Sequence, residues 1–184
     1  MPVVSIRIDP RRTEFFYLDR GKPDAEIYGT IIILPGHSFH SSRATVRVKS
    51  LLTTHGFLEG IFQRVLPLAA SKGLRLIAIN RRDYAPTTLF DETELKELSS
   101  NDPALRENFL HNRGIELCLF TDHIIDELSL PPSTDDGSNG GVAWMGWSLG
   151  NANPIAAVVA GMSLPDKIKD RLQNYLRKLI IYGA

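Results

Sequence analysis

Short apolar runs alternate with amphipathic stretches along the chain, and that alternation predicts strands and helices in turn. Val3 to Ile8 and Glu14 to Leu18 read as two short strands parted by the Asp9-Pro10 turn signal. Tyr28 to Leu34 ends in the β-branched run Thr30-Ile31-Ile32-Ile33-Leu34, which predicts a central strand buried on both faces. It stops at Pro35-Gly36, and a polar loop, His37 to Ser42, follows. Ile61, Val65, Leu68 and Ala69 then mark an amphipathic helix closed by Lys72-Gly73. Pro67 inside that pattern predicts a kink or an early break. Leu74 to Ile79 is the next buried strand, so strand, helix and strand form a βαβ unit with parallel pairing.

The second half repeats the alternation. Asp91 to Asp102 is polar and predicts irregular structure with one short helix at most. A long helix is predicted from Pro103 to Leu128, with Leu117, Phe120, Ile124 and Leu128 as its apolar stripe. Pro131-Pro132 ends it, and Ser133 to Gly141 is a Gly/Asp/Asn-rich loop. Val142 to Met145 predicts a buried parallel strand, and Ile155 to Ala160 a helix packed closely on a sheet. Pro165-Asp166 opens a last helix with Ile168, Leu172, Tyr175 and Leu176 on one face, and Leu179 to Tyr182 begins one more strand. The expected fold class is α/β.

Between the Val142 strand and the following helix stands Gly146-Trp147-Ser148-Leu149-Gly150, a G-x-S-x-G pentapeptide. Strand, sharp turn and helix is the context in which this motif presents a serine nucleophile. Side chains two positions either side of the serine would collide in so tight a turn, and glycine at 146 and 150 removes the collision. The bland reading of the same residues is a glycine-rich turn with a serine helix cap. Trp147 is expected to pack beside the turn rather than touch a substrate.

Composition changes this picture only by exclusion. With 43% hydrophobic and 23% charged residues the chain is an ordinary globular one, and its 184 residues match one domain. Lys plus Arg equals Asp plus Glu at 21 each, so no net field draws it to nucleic acid or to an anionic membrane. No apolar run approaches a membrane span, and the N-terminus meets Arg7, Arg11 and Arg12 before any signal-like apolar core forms; a cytoplasmic protein is expected. The lone cysteine, Cys118, falls in an apolar helical pattern and reads as a buried free thiol. The glycines do not make G-x-G-x-x-G, there is no P-loop, and no Cys/His spacing fits zinc, so neither cofactor nor metal is expected.

The stretches Ile31 to His40, Ile61 to Ala70 with Ile79 to Tyr84, and Met145 to Gly150 together resemble the α/β-hydrolase superfamily, in particular its fungal serine-type hydrolases. The resemblance implies a three-layer, mostly parallel sheet with helices on both faces. It implies that Ser148 is the nucleophile, that the Leu149 N–H is one oxyanion donor, and that the His37 N–H is the second. A serine at this position implies acyl transfer to water on a small-molecule ester, thioester or amide. Epoxide hydrolases and dehalogenases of the superfamily use an aspartate there.

The same resemblance implies a triad in the order serine, acid, histidine. After Ser148 come Asp166 and Asp170, which read as solvated helix charges, and no histidine. His37, His40, His55, His111 and His123 all precede the serine. Of these, His37 and His40 belong to the loop expected to overhang it, while His111 and His123 read as surface or packing residues of the long helix. The expectation is therefore a single domain over 1–184 that is incomplete, with the last strands of the sheet missing and little triad-dependent turnover. The alternative is a non-catalytic binding module or pseudo-enzyme on the same fold. Arg43 to Glu59 is long for a βα connection and is either a lid-like insertion or sequence foreign to the mature message, the second being preferred. Arg81, Arg82 and Asp83 have the look of a substrate clamp, but ion pairing that fixes their loop is the expected role.

Overall fold

A computed structural model describes residues 3–8, 11–19, 21–36, 65–82, 84 and 87–183. Arg43 to Glu59, His37, His40, His55, Ile61 to Arg64 and Asp83 lie outside the described residues. The elements are β1 (Val3–Ile8), β2 (Arg11–Asp19), β3 (Gly29–Leu34), α1 (Val65–Ser71), β4 (Leu74–Ile79), α2 (Glu92–Ser99), α3 (Pro103–Glu127), β5 (Val142–Trp147), α4 (Ala152–Ala160), α5 (Asp166–Tyr175) and β6 (Leu176–Tyr182). Short 3-10 turns at Ser148–Asn151 and Gly161–Ser163 flank α4.

The strands form one mixed sheet in the order β1-β2-β4-β3-β5-β6. β1 pairs antiparallel with β2, and β2 antiparallel with β4. From β4 onward the pairing is parallel: β4 with β3, β3 with β5, and β5 with β6. Parallel strands buried on both faces need apolar side chains at successive positions, which Thr30 to Leu34 supplies. Alternate residues then serve two separate cores. Ile32, Leu34, Ile77, Ile79, Val142 and Trp144 pack on one face with Leu117, Phe120 and Ile124 of α3. Ile33, Leu76 and Ala78 pack on the other with Ala69 of α1. This is the expected three-layer α/β architecture, mostly parallel with helices on both faces.

Several boundaries differ from the sequence expectation. β2 begins at Arg11 rather than Glu14, because its register with β1 pairs Ile8 with Arg11. Asp91 to Asp102 holds the one short helix that the sequence allowed, α2. Its start is fixed by a capping box in which the Asp91 side chain accepts from the Glu94 N–H while the Glu94 side chain accepts from the Asp91 N–H. Helix α1 runs through Pro67, which lies in the first turn of Val65–Ser71. Val65 and Leu68, expected on its buried face, are exposed, while Ala69 is buried. Leu176, expected to continue the last helix, instead starts β6, where it pairs with Val142.

The long helix matches its stripe. Leu117, Phe120 and Ile124 are buried, and Asp102 caps the N-terminus ahead of Pro103 by accepting from the Ala104 N–H at 2.9 Å. Phe120 meets Phe15 and Tyr17 of β2 edge to face, with ring centroids 5.8 and 5.7 Å apart. Cys118 is buried against the Ala157 carbonyl, and burial pushes its thiol up to about 12, which makes it inert.

Candidate active site

β5 delivers Ser148 to the C-terminal edge of the sheet, and the chain turns there without a connecting loop. Ser148 has φ +53° in the left-handed region, where a side chain costs about 1–3 kcal/mol. Ser129 is the one other non-glycine residue with positive φ among the described residues. The 3-10 turn Ser148–Asn151 then leads into α4. The bland alternative, a serine helix cap, fails: neither the 3-10 turn nor α4 has a side-chain cap hydrogen bond.

The turn is tight enough to dictate its glycines. A Cβ at Gly150 would lie 2.1 Å from the Leu34 carbonyl oxygen, and one at Gly146 2.5 Å from both Cα and Oδ1 of Asn151. The end of β3 closes on the serine from the other side. A Cβ at Gly36 would lie 2.8 Å from Ser148 Cβ and 3.4 Å from Ser148 Oγ. The start of the Pro35-Gly36 loop is thus packed against Ser148. His37, the next residue and the expected second oxyanion donor, lies outside the described residues. Leu149 directly follows the serine and is half exposed.

Asn151 is a residue of this turn that sequence reasoning missed. It is buried, its Nδ2 donates to the Tyr182 carbonyl at 3.3 Å, and its Oδ1 accepts from the Tyr182 N–H at 3.4 Å. The side chain therefore completes the backbone hydrogen bonding of β6 and ties the turn to that strand. Trp147 packs beside the turn as expected, its ring 6.2 Å from that of Tyr182.

The residues after β4 form the neighbouring wall. Their loop is held by the Thr87 hydroxyl, which accepts from the Phe16 N–H and donates to the Asn80 carbonyl, and by Asn80 Nδ2 donating to the Tyr84 carbonyl at 2.6 Å. Arg82 has the expected ion-pairing role, but its partners come from distant helices. It pairs with Glu94 of α2 at 2.7 Å and with Glu116 of α3 at 2.6 Å. Arg113 completes a square by pairing with Glu94 at 2.7 Å and Glu116 at 2.9 Å. All four side chains are 1–4% exposed, so the charges are paired because they cannot be hydrated.

The two carboxylates of this square respond differently. Burial works against ionising Glu94, but hydrogen bonds from the Asp91 N–H, Arg82 and Arg113 hold its carboxyl down at about 2. Burial dominates at Glu116 and pushes its carboxyl up despite the same two arginines. Two sequence signals foreshadow the square. Asp91-x-x-Glu94 has the capping-box spacing, and Arg113 and Glu116 are charges in line with the Leu117–Phe120–Ile124 stripe.

An open cleft of about 390 Å³ lies between these walls, lined by Arg81, Phe90, Phe109, Arg113, Leu149 and Asn153 among others. That volume suits a small molecule. Other candidate residues are not brought to it. His111 meets Ser163 at 3.2 Å, His123 pairs with Glu127 on the helix surface, and Asp166 is an exposed partner of Lys169. Asp170 is exposed as well. Among the described residues Ser148 Oγ makes no hydrogen bond. Also among the described residues, no three His, Cys, Asp or Glu side chains cluster to hold a metal ion, and no helix is long and apolar enough to cross a membrane.

No protein-family model and no curated protein matches the sequence. Solved structures do. A probable hydrolytic enzyme from Pseudomonas aeruginosa PAO1 is 13% identical with TM-score 0.48, the match covering 89% of this chain and 38% of that one. A carboxylesterase structure from the thaumarchaeon Nitrososphaera gargenis is 15% identical with TM-score 0.48, covering 98% of this chain and 44% of that one. A bromoperoxidase from Bacillus anthracis is 13% identical with TM-score 0.46, covering 98% and 44%. The chain spans less than half the length of these three proteins, and the likeness is one of fold.

Proposed function

We propose that Ser148 is the nucleophile of an acyl hydrolase acting on a small-molecule ester or related acyl bond. The observation that carries this reading is the serine's φ of +53° in a turn where Gly146, Gly150 and Gly36 each leave no room for a Cβ. A turn with no task for a side chain would hold glycine at that position and avoid the strain. In the proposed reaction Ser148 Oγ bonds to the substrate carbonyl carbon and the carbonyl oxygen becomes an oxyanion. The Leu149 and His37 N–H groups would stabilise that charge. Collapse expels the alcohol, thiol or amine, which carries away the proton lost from Oγ, and water then adds hydroxyl to the acyl carbon and returns a proton to Oγ.

The proton of Ser148 needs an acceptor, and no described carboxylate or imidazole hydrogen-bonds Oγ. That observation favours a second reading, a binding module that keeps the fold without the chemistry. Labelling with a fluorophosphonate separates the two, because displacement of fluoride by Oγ requires an activated hydroxyl. Rapid labelling that disappears in Ser148→Ala supports the hydrolase. A folded protein that does not label is a binding module.

A further inference from the structure

Charge does not balance among the described side chains along the cleft beside Ser148. The buried square of Arg82, Arg113, Glu94 and Glu116 sums to zero: two guanidinium groups face two carboxylates. Arg81 stands next to it as an additional cation. Among the described residues its one hydrogen-bonding side chain is the Tyr84 hydroxyl at 3.5 Å, and its guanidinium carbon lies 5.3 Å from the centre of the Tyr84 ring. No carboxylate among the described residues pairs with it. Burial lowers the affinity of this guanidinium for its proton, the mark of a cation held partly out of water.

A second observation comes from Arg113, which lines the same cleft. Its side chain is 4% exposed, and Nη2 alone makes its ion pairs. Nε and Nη1 are buried without a hydrogen-bond partner. Its guanidinium carbon lies 5.0 Å from the Phe90 ring centre and 4.9 Å from that of Phe109, contacts that hold it in place but offer no acceptor oxygen. Leaving buried donors unmatched is costly in a folded protein, so a wall with one cation that no described carboxylate pairs, beside two unmatched donors, suits an acceptor that arrives with a ligand.

The rest of the lining fixes the ligand's other end. Phe90, Leu98, Phe109, Leu110 and Leu149 make most of the surface apolar, and Leu149 joins the cleft to the serine. We propose that this cleft binds a substrate through a free carboxylate, which pairs with Arg81 beside Arg113 while an apolar body covers the phenylalanine and leucine side chains. The inference deepens the hydrolase reading and rests on it for the word substrate: the ligand carries a carboxylate remote from its scissile acyl bond.

Binding is tested on Ser148→Ala protein, where no turnover intervenes, by titration calorimetry with hexanoate, hexanamide and inorganic phosphate. Hexanoate is expected to bind at least tenfold more tightly than either of the others. Arg81→Gln should remove that preference and Arg81→Lys should retain part of it. Leu98 is exposed, so Leu98→Glu should fold, and its added charge should weaken hexanoate severalfold more than hexanamide, which loses only the apolar contact. Equal affinity for hexanoate and hexanamide, or hexanoate binding indifferent to both Arg81→Gln and Leu98→Glu, overturns the proposal. Phosphate binding more tightly than hexanoate overturns it too. Fluorophosphonate labelling of Ser148 is read separately. Carboxylate binding without labelling sinks the hydrolase reading alone, and labelling without carboxylate binding sinks this one alone.

Discussion

Gly36 and Ser148 meet without room for a methyl group between them: a Cβ at Gly36 would lie 2.8 Å from the serine Cβ and 2.9 Å from the Trp147 carbonyl oxygen. The obstruction is backbone and a strained turn, not the end of a flexible side chain. Gly36→Ala should therefore cost about 1–3 kcal/mol and move Ser148. In a urea titration the midpoint falls, and fluorophosphonate labelling is lost at urea concentrations where the protein is still folded. Undiminished labelling would show that the two loops do not depend on each other.

The strain at Ser148 makes a prediction of opposite sign. Glycine adopts φ +53° without the Cβ penalty, so Ser148→Gly should be more stable than wild type by about 1 kcal/mol. Ser148→Ala keeps the Cβ and should not be stabilised. Equal urea midpoints for the two variants would remove strain from the account.

Glu94 is the corner of the charge square that matters most for acid stability. Its folded value of about 2 lies below the ordinary 4.5, so the stability it contributes is present above about pH 4.5 and lost as pH falls toward 2. Glu116 acts in the opposite sense. Its carboxyl is raised, so protonation favours the folded state as pH falls through that raised value. Glu94→Gln should destabilise the protein at neutral pH by about 3–5 kcal/mol, since two buried guanidinium groups lose a shared anion. It should also flatten the stability curve between pH 4.5 and 2, which a series of urea melts at stepped pH will read.

Thr121 supplies an acceptor for a buried indole. Trp144 Nε1 donates to its hydroxyl at 2.9 Å, and the hydroxyl donates to the Leu117 carbonyl at 2.7 Å. Thr121→Val keeps the shape and removes the acceptor, at an expected cost of about 1–3 kcal/mol, while Thr121→Ser should stay near wild type. Thermal melts of the two variants distinguish a lost hydrogen bond from a change in packing.

Gly114 sets the separation of α3 and α4. Glycine within a helix costs about 1 kcal/mol against alanine, so propensity alone favours Gly114→Ala. A Cβ there would sit 2.6 Å from the carbonyl carbon and oxygen of Ala156, which are backbone atoms of a packed helix. We expect steric exclusion to win, with a lower urea midpoint in Gly114→Ala; a higher one would mean that the helices separate freely.

Residues around the candidate site show why some of it was legible in advance. Gly146, Ser148 and Gly150 are adjacent in the chain, and the steric demand that relates them is local, so the pentapeptide announces the turn. Gly36 belongs to the same steric group, but it is 112 residues from Ser148, and only the parallel pairing of β3 with β5 brings the two together. The Asn151 bonds to Tyr182 are equally invisible before β6 is placed beside β5. Leu176 was misread because its spacing continues a helical face, whereas pairing with Val142 draws it into the sheet.

The order and kind of most elements was therefore determined by the sequence itself, because period and turn chemistry act over a few residues. So was the strand-turn-helix context that singles out Ser148. Tertiary structure alone decided the partners of the charges. Arg82 reads as an ion-pairing loop residue and Glu94, Arg113 and Glu116 as charges without named partners, and the four are buried together only when α2, α3 and the end of β4 converge. Excluded from water there, they must satisfy one another. Arg81, one residue earlier in the chain, is left beside them with no carboxylate of its own among the described residues.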